Sequence, residues 1–516
     1  MQIDLEGEAT GTTYTSQICV LGGGIAGLVL ARRLAQRGIQ VHLLEAGGLD
    51  LEPRSQALYA AQMAADRHAG ATDGRFRVFG GSSTRWGGQI LPFTDDIFEP
   101  SPGTPSHPWP IAASAIEPYY ADVMAILGVD SLPFEGTGLL RALGRPAANF
   151  GDGICLRFSK WAPFGRRNLA NGIGRECLAH DRITVFTHAN VTRLEHSGGR
   201  VLAAVARNYA DAEFRFAAQN FAVCLGTIES SRLLLASAIG NQFDQVGRYF
   251  HDHVGVKVAE LSGPARARIL DRLGPFFVAG TLHTAKLEAS AALRSSAALP
   301  AVMAHVVIEE PEDSGPAAVR NLLGSLQKGN IRAALGKNLL PMLRGLGDVG
   351  RLAWASRFQK RRAVSARARV WLKIDMEQVA RANDRIRLSE APDALGQPIA
   401  IVDWRVGDEE RAAARAYAGL IKEQLEAAGI SGLQWPLEDS ASFTMEDTYH
   451  PMGGLRMGLD PQTSVVDPNL QVHGVENLSV ASCAVFPAGG SSNPTFTMMA
   501  LAMRLADRLA AAFPKT

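Results

Sequence analysis

The chain lacks most of what marks a secreted, membrane-spanning or nucleic-acid-binding protein. Its 516 residues include five cysteines, Cys19, Cys155, Cys177, Cys224 and Cys483, and these show no paired spacing. Neither a disulfide framework nor a zinc site is expected from such a scatter. No run of eighteen apolar residues occurs, so no segment qualifies as a membrane span. Lys and Arg number 52 against 51 Asp and Glu, a net charge of +1. That balance removes any global electrostatic case for nucleic acid. Met1 to Ser16 is polar and acidic, with no basic or hydrophobic stretch of a leader peptide, and a cytoplasmic location is expected. Internal repeats and low-complexity tracts are missing too.

What is present is an ordinary globular composition, 47% apolar and 20% charged, enough for a large core in a two-domain unit. Gln17 to Leu21 reads as a buried strand, Gly24 to Arg37 as a helix and Gln40 to Leu44 as a second strand, a βαβ unit that predicts a parallel sheet. Between the first strand and the helix stands Gly22-x-Gly24-x-x-Gly27. The first glycine permits a tight turn, the second admits a pyrophosphate to the backbone, and the third allows close helix packing. Glu45, 18 positions after Gly27, ends the next strand. Its carboxylate can accept hydrogen bonds from ribose hydroxyls. This pattern predicts dinucleotide binding without separating FAD from NAD.

Further strands are expected at Ile183 to Phe186, Val191 to Leu194, Val201 to Arg207 and Phe214 to Cys224. A helix is expected to begin near Ser114. From about residue 251 the strands lengthen and alternate, as in Val254 to Leu261, Ala301 to Ile308 and Ala368 to Met376, which suits an antiparallel sheet covered on one face. The expected architecture is α/β: a Rossmann-like cofactor domain from residues 1–110, 181–250 and 444–516, a linker and pocket segment at 111–180, and an inserted antiparallel-sheet α+β domain at 251–443. Residues 311–365 stand apart, with ten Lys or Arg against three Asp or Glu. There Lys337, Arg344 and Arg351 recur every seven residues beside Leu335, Leu339, Met342, Leu346 and Val349. The pattern is a basic amphipathic helix, read as a surface insertion, or as a weak contact with a membrane surface or an electron acceptor.

Near the C-terminus His450, in Thr448-Tyr449-His450-Pro451, is followed 43 positions on by Asn493, in Ser492-Asn493-Pro494-Thr495. The Asn-Pro-Thr run opens a long apolar-periodic segment, Thr497 to Leu509, with Asn493 as cap and Pro494 in the first turn. A helix start carries partial positive charge. Together with the glycine turn, this suggests removal of electrons from an alcohol, with the resulting negative charge placed on a flavin ring at the helix end. A lone histidine is ordinarily a core or capping residue; its pairing with Asn493 favours a catalytic role.

These motifs resemble those of the glucose-methanol-choline oxidoreductases, a family of FAD-dependent alcohol oxidases and dehydrogenases, especially the branch of pyranose oxidases and bacterial sugar or glycoside oxidoreductases. The matching pieces are Val20 to Gly27, Leu44 to Gly47, Gly80 to Gly88, Trp109-Pro110-Ile111 with Tyr119-Tyr120, Gly226 to Leu234, Val246-Gly247-Arg248, His450 to Gly458, and Asn493 to Thr497. The resemblance implies FAD bound by the first βαβ unit and a flavin between the two domains. It implies cofactor contacts from Gly22, Gly24, Gly27, Glu45, Ser82, Ser83, Arg85, Trp86, Gly87, Val191, Gly226, Ser482, Asn493, Pro494 and Thr495. Pyranose oxidases carry, at the position of Arg85, a histidine covalently joined to the flavin. Arginine cannot form that bond, so non-covalent FAD is expected.

Under this resemblance His450 is the general base that removes the hydroxyl proton as hydride passes from the carbinol carbon to flavin N5. Asn493 orients the substrate oxygen, and the helix start stabilises the reduced ring. The expected substrate is a small hydroxylated molecule, a sugar, glycoside or polyol, with oxygen, a quinone or a carrier protein as acceptor; a homo-oligomer is compatible with this reading. The competing classes are a redox-silent FAD-containing lyase or isomerase and a non-enzymatic flavoprotein. His251-x-His253 has the look of a metal pair on a strand, but no third ligand cluster accompanies it, and a structural role is expected. His283 and His305 are candidates to face the pocket.

Overall fold

The computed structural model describes residues 1–99, 107–145, 150, 151, 153–315, 317–319, 321, 322, 347, 350, 354–362, 364–436 and 443–514. Two eight-stranded sheets and one three-stranded sheet organise them. The first sheet grows from the βαβ start. Strand Thr13–Leu21 buries Ile18 to Leu21 completely, because parallel neighbours and helices cover both its faces. Helix Ile25–Gln36 returns the chain to strand Val41–Leu44, which pairs in parallel with the first.

Across this sheet the order is Gln2–Asp4, Ile183–Thr187, Val41–Leu44, Thr13–Leu21 and Glu213–Val223, all parallel, with Leu478–Val480 also paired to Glu213–Val223. Arg200–Arg207 and Asn190–Ser197 extend it as an antiparallel hairpin. Its strands therefore come from three separated parts of the chain. The polar N-terminal stretch is not merely a tail, since Gln2–Asp4 pairs with Ile183–Thr187; three residues were too few to show a period.

The second sheet is antiparallel, in the order Glu446–Asp447, His253–Glu260, Arg369–Glu377, Val302–Glu309, Thr281–Ala289, Ile154–Trp161 and Gln89–Ile90. Strand Ile154–Trp161 lies inside the stretch expected to be a linker. It pairs with Thr281–Ala289 over its whole length, from Ile154↔Ala289 to Trp161↔Leu282. Buried Arg157 and Lys160 break the apolar alternation that would have revealed it.

Helix Asp408–Ala427, also unforeseen, has three acids in its first turn and buries Ala414, Tyr417, Ala418, Ile421 and Leu425. Those residues share one apolar cluster with Leu287, Ala304, Leu372 and Ile374 of the sheet. Each large side chain in such a cluster contributes about 1.5–3 kcal/mol. With a side-chain period of two, Lys286, His305 and Lys373 lie on the opposite face.

A small third sheet, Arg385–Pro392, Pro398–Asp403 and Ala61–Met63, joins early and late parts of the chain. The C-terminal helix Thr495–Ala511 is buried around much of its circumference, from Phe496 to Leu509. It packs on helix Ile25–Gln36, and Arg33 Nε and Nη2 donate to both carboxylate oxygens of Asp507 at 2.8 and 2.7 Å. Near Ser114 a 3₁₀ turn, Ala113–Ala115, precedes the α-helix Tyr120–Leu127. The heptad of Lys337, Arg344 and Arg351 falls outside the described residues. Among those described, no helix is long and apolar enough to cross a membrane.

Candidate active site

The glycine turn is built by close contact. A Cβ at Gly27 would lie 1.9 Å from the Gly22 carbonyl oxygen, so only glycine lets the helix pass so near the strand end. Gly22 adopts φ +106, and a Cβ there would meet the Cys224 carbonyl oxygen at 2.6 Å. Gly24 differs, since its nearest atom would be 4.0 Å away and its backbone is bare to open space. Helix Ile25–Gln36 starts there without a side-chain cap, so its first N–H groups are free for an anion. Glu45, 5% exposed, accepts from Gly23 N at 3.0 Å and Gly47 N at 2.8 Å. Burial raises its pKa, opposed by those N–H bonds and by Arg77.

This turn forms one end of a cavity of about 880 Å³ whose wall includes Gly22, Gly24, Glu45, Ser82, Arg85, Trp86, Gly87, Val191, Gly226, Ser482, His450, Asn493, Pro494 and Thr495. Two residues assigned to the cofactor do not line it. Gly27 acts from behind through packing. Ser83 is fully buried, donating to Gly80 O at 2.6 Å and accepting from Leu169 N at 3.2 Å, because its 3₁₀ turn aims the hydroxyl inward. Arg85 holds its guanidinium 5.2 Å from the Phe76 ring centroid, and burial lowers its pKa. His305 lines the cavity. His283 is buried elsewhere, 2.8 Å from Asp130 Oδ2.

His450 and Asn493 meet at the other end, with Asn493 Nδ2 3.1 Å from His450 Nε2. Asn493 is not the helix cap. The helix begins at Thr495 with Pro494 in the cap position and no side-chain cap bond, because the amide of Asn493 is turned to the imidazole instead. Asn493 Oδ1 and Thr497 Oγ1 are buried without partners beside the open first turn of this helix. Orphan polar atoms at one end and bare glycine backbone at the other fit an elongated polar cofactor.

His253 decides which nitrogen of His450 is basic. Its Nε2 lies 3.1 Å from the Gly489 carbonyl oxygen, which can only accept, so the proton of neutral His253 sits on Nε2 and the lone pair on Nδ1. His450 Nδ1, 3.1 Å from that lone pair, must donate. Thr448 agrees: its Oγ1 is 2.9 Å from His450 Nδ1 while its own proton can pass to Asp252 Oδ1 at 3.4 Å. His450 therefore presents an unprotonated Nε2 toward Asn493. Burial, then the neighbouring His253, lower its pKa to about 4, so the ring is neutral at ordinary pH.

The backbone around this pair is held by buried carboxylates. Asp252 accepts from His450 N at 3.0 and 2.9 Å, and Asp447 accepts from Ala69 N and Gly70 N at 2.6 and 2.8 Å. His68 Nε2 lies 3.2 Å from Asp252 Oδ2. Burial raises the pKa of Asp252, but His68 and the other histidines outweigh it and the carboxyl stays below its usual range. Ligand atoms of His68, Asp252 and Asp447 lie within 4.8 Å of one another, yet both carboxylates are already committed to backbone N–H groups, and the trio acts as a latch. On the Asn493 side, Glu377 Oε1 accepts from Gly489 N and Gly490 N at 2.8 and 3.1 Å, while Glu288 Oε1 accepts from Ser491 and Ser492 at 2.9 and 3.3 Å.

His253, expected to be structural, instead orients the base, and His68, Asp252 and Asp447 join the site without having been expected there. For His253 the only local signal was its place two residues from His251 at a strand start; for the others there was none.

Comparison with known proteins agrees with the geometry. Residues 155–255 and 380–502 match models described as GMC oxidoreductase, and residues 20–48 match an NAD(P)-binding Rossmann-like domain. The 6'''-hydroxyparomomycin C oxidase of Streptomyces lividus is 24% identical, over 96% of this chain and 91% of that protein. The fructose dehydrogenase large subunit of Gluconobacter japonicus is 23% identical over 96% and 98%. The crystal structure of pyridoxine 4-oxidase from Mesorbium loti aligns with a TM-score of 0.57 at 18% identity, covering 96% of this chain and 99% of that one.

The two glycine geometries make opposite predictions. Gly27→Ala forces overlap with backbone and should cost about 3 kcal/mol or prevent folding, read from urea midpoints or soluble yield. Gly24→Ala should melt near wild type yet bind cofactor at least tenfold more weakly in a flavin-fluorescence titration. Equal effects from both would contradict the geometry.

Proposed function

Because this chain belongs to the GMC oxidoreductase family, FAD-containing enzymes acting on CH–OH groups, we propose that it oxidises a secondary or primary alcohol of a sugar, glycoside or polyol to the carbonyl, with His450 as general base. The observation that carries this reading is the unprotonated His450 Nε2 beside Asn493 Nδ2 in a cavity continuous with the glycine turn. The relatives support the substrate class, being named for oxidation of an aminoglycoside and of fructose.

The glycine turn, Glu45 and Val191 would hold the dinucleotide, and the start of helix Thr495–Ala511 would meet its ring. When bound, the flavin supplies the two-electron acceptor. Everything else is done by the protein. His450 Nε2 takes the proton of the substrate hydroxyl, and the charge so formed on the ring is shared with His253 and Thr448 through Nδ1–H. Asn493 Nδ2 donates to the substrate oxygen and fixes the alcohol against the base. Asp252 holds the His450 backbone, so the base is placed by two hydrogen bonds from its own amide.

His450→Ala should keep FAD and slow flavin bleaching by substrate about 100- to 10,000-fold in anaerobic stopped flow. Protonation of Nε2 removes the base, so the wild-type rate should be level near neutrality and fall as pH drops through about 4. Turnover without bleaching would instead identify a redox-silent enzyme.

We also propose that FAD is held non-covalently, since arginine stands at position 85, where pyranose oxidases join histidine to the ring. Acid precipitation should leave the yellow colour in the supernatant. A yellow pellet would show a covalent link.

A further inference from the structure

The second sheet presents to the cavity region a row of basic side chains that the proposed chemistry does not use. Arg157, Lys286, His305 and Lys373 are cross-strand neighbours on four adjacent strands, paired as Arg157↔Lys286, Lys286↔His305 and His305↔Lys373. Lys286, His305, Lys373 and Asp375 all line the cavity that holds His450. Room for this cluster is left by Gly255 on the next strand, where a Cβ would meet Asp375 Oδ1 at 2.6 Å and Lys373 Nζ at 2.7 Å.

Three of the four bases are accounted for within the protein. Arg157 donates to Glu288 Oε2 at 2.9 Å and to Pro92 O at 2.8 Å. Lys373 lies 2.7 Å from Asp375 Oδ1, and His305 Nε2 lies 2.7 Å from Asp375 Oδ2. Lys286 is different. Lys286 is 2% exposed and, among the described residues, makes no hydrogen bond or close ion pair; the carboxylates that act on its charge, Asp375 first and then Glu288, are both engaged by other groups. Glu288, the acid two residues on along the strand, is already taken by Arg157, Ser491 and Ser492. Buried charges in folded proteins are paired, because removing an ion from water is costly without a counter-charge. Burial lowers the lysine pKa to about 8, which leaves the ammonium mostly charged at neutral pH, and burial holds His305 neutral by lowering its pKa to about 4. At the cavity wall Lys286 and Lys373 therefore share one nearby carboxylate, that of Asp375, which Lys373 and His305 already hold.

We propose that the substrate carries an anionic group, a carboxylate or another oxyanion, seated on the ammonium of Lys286 with Lys373 nearby, so that the enzyme acts on acidic sugars such as uronides in preference to neutral or amino sugars. This rests on the alcohol-oxidation reading and names the substrate class of that same cavity. A cationic substrate would meet repulsion from Lys286, whereas a carboxylate supplies a further counter-charge and an acceptor. His450 and Asn493 line the same cavity.

The test compares matched probes on the flavin-loaded enzyme at constant ionic strength: methyl β-D-glucuronide, methyl β-D-glucoside, which replaces the carboxylate by a hydroxymethyl, and methyl β-D-glucoside 6-phosphate, which replaces it by a phosphorylated hydroxymethyl. Half-saturation for anaerobic flavin bleaching should be at least tenfold lower for one of the anions than for the glucoside, and the better anion identifies the group. Lys286→Met should reduce that preference at least tenfold while melting at or above wild-type temperature, because an unpaired buried charge has been removed. A lysine with a merely structural role would lower the melting temperature and leave the preference intact. Lys286→Gln serves if the Met variant does not fold.

Calorimetric binding to the His450→Ala enzyme separates the two readings. Anion binding that depends on Lys286 without bleaching of wild type would sink alcohol oxidation and keep the anion seat. Bleaching by glucoside and anions alike, a preference untouched by Lys286→Met, or no binding of either anion would overturn the seat.

Discussion

A carbonyl oxygen cannot donate, and the orientation of the active-site base depends on that fact. The Gly489 carbonyl sets the proton of His253, His253 sets the proton of His450, and His450 is left with a lone pair facing Asn493. Three separated parts of the chain take part: the start of strand His253–Glu260, the segment Thr448 to His450 that follows strand Glu446–Asp447, and the turn from Gly489 to Asn493 that leads into the C-terminal helix. No residue in this relay needs an unusual charge state. Directional hydrogen bonding alone selects the tautomer.

The two large sheets divide the work between backbone and side chain. The parallel sheet offers bare backbone at Gly24 and Gly226 and a helix start without a cap, which suit a phosphate-bearing cofactor whatever it carries. The antiparallel sheet offers charged side chains at Lys286, Lys373, Asp375, Glu288 and Glu377, which suit discrimination among substrates and control of the loop bearing Asn493. Buried charge is costly unless compensated, and nearly every buried charge around the site is compensated by backbone N–H groups or an opposite charge. In this row Lys286 alone has no hydrogen bond or close ion pair among the described residues.

Much of the fold was legible because periodicity is local. The βαβ start, the hairpin strands and the alternating strands of the second sheet each carry their pattern within a few residues, and the structure has them within a few positions of the expected ends. Ile154–Trp161 escaped because Arg157 and Lys160 occupy buried positions that normally hold apolar residues. Helix Asp408–Ala427 went unnamed although its acids and apolar spacing were in plain view. The capping role expected of Asn493 failed for a reason outside its own segment: its amide has a better partner in His450, 43 residues away in sequence.

By itself the sequence determined which residues could do chemistry: a glycine turn with no room for a side chain, an acid at the end of the next strand, and a histidine and an asparagine beside a helix start. These are properties of residue type and short spacing, and they survive without coordinates. Tertiary structure alone decided which nitrogen of His450 is basic, that His68, Asp252 and Asp447 latch the loop behind it, and that Asp375 is held by Lys373 and His305 rather than by Lys286. Each depends on atoms from strands and loops remote in the chain meeting within about 3 Å, the range over which hydrogen bonds act. No local pattern encodes that meeting, because it is set by the register of one strand against another and by the closure of both sheets around one cavity.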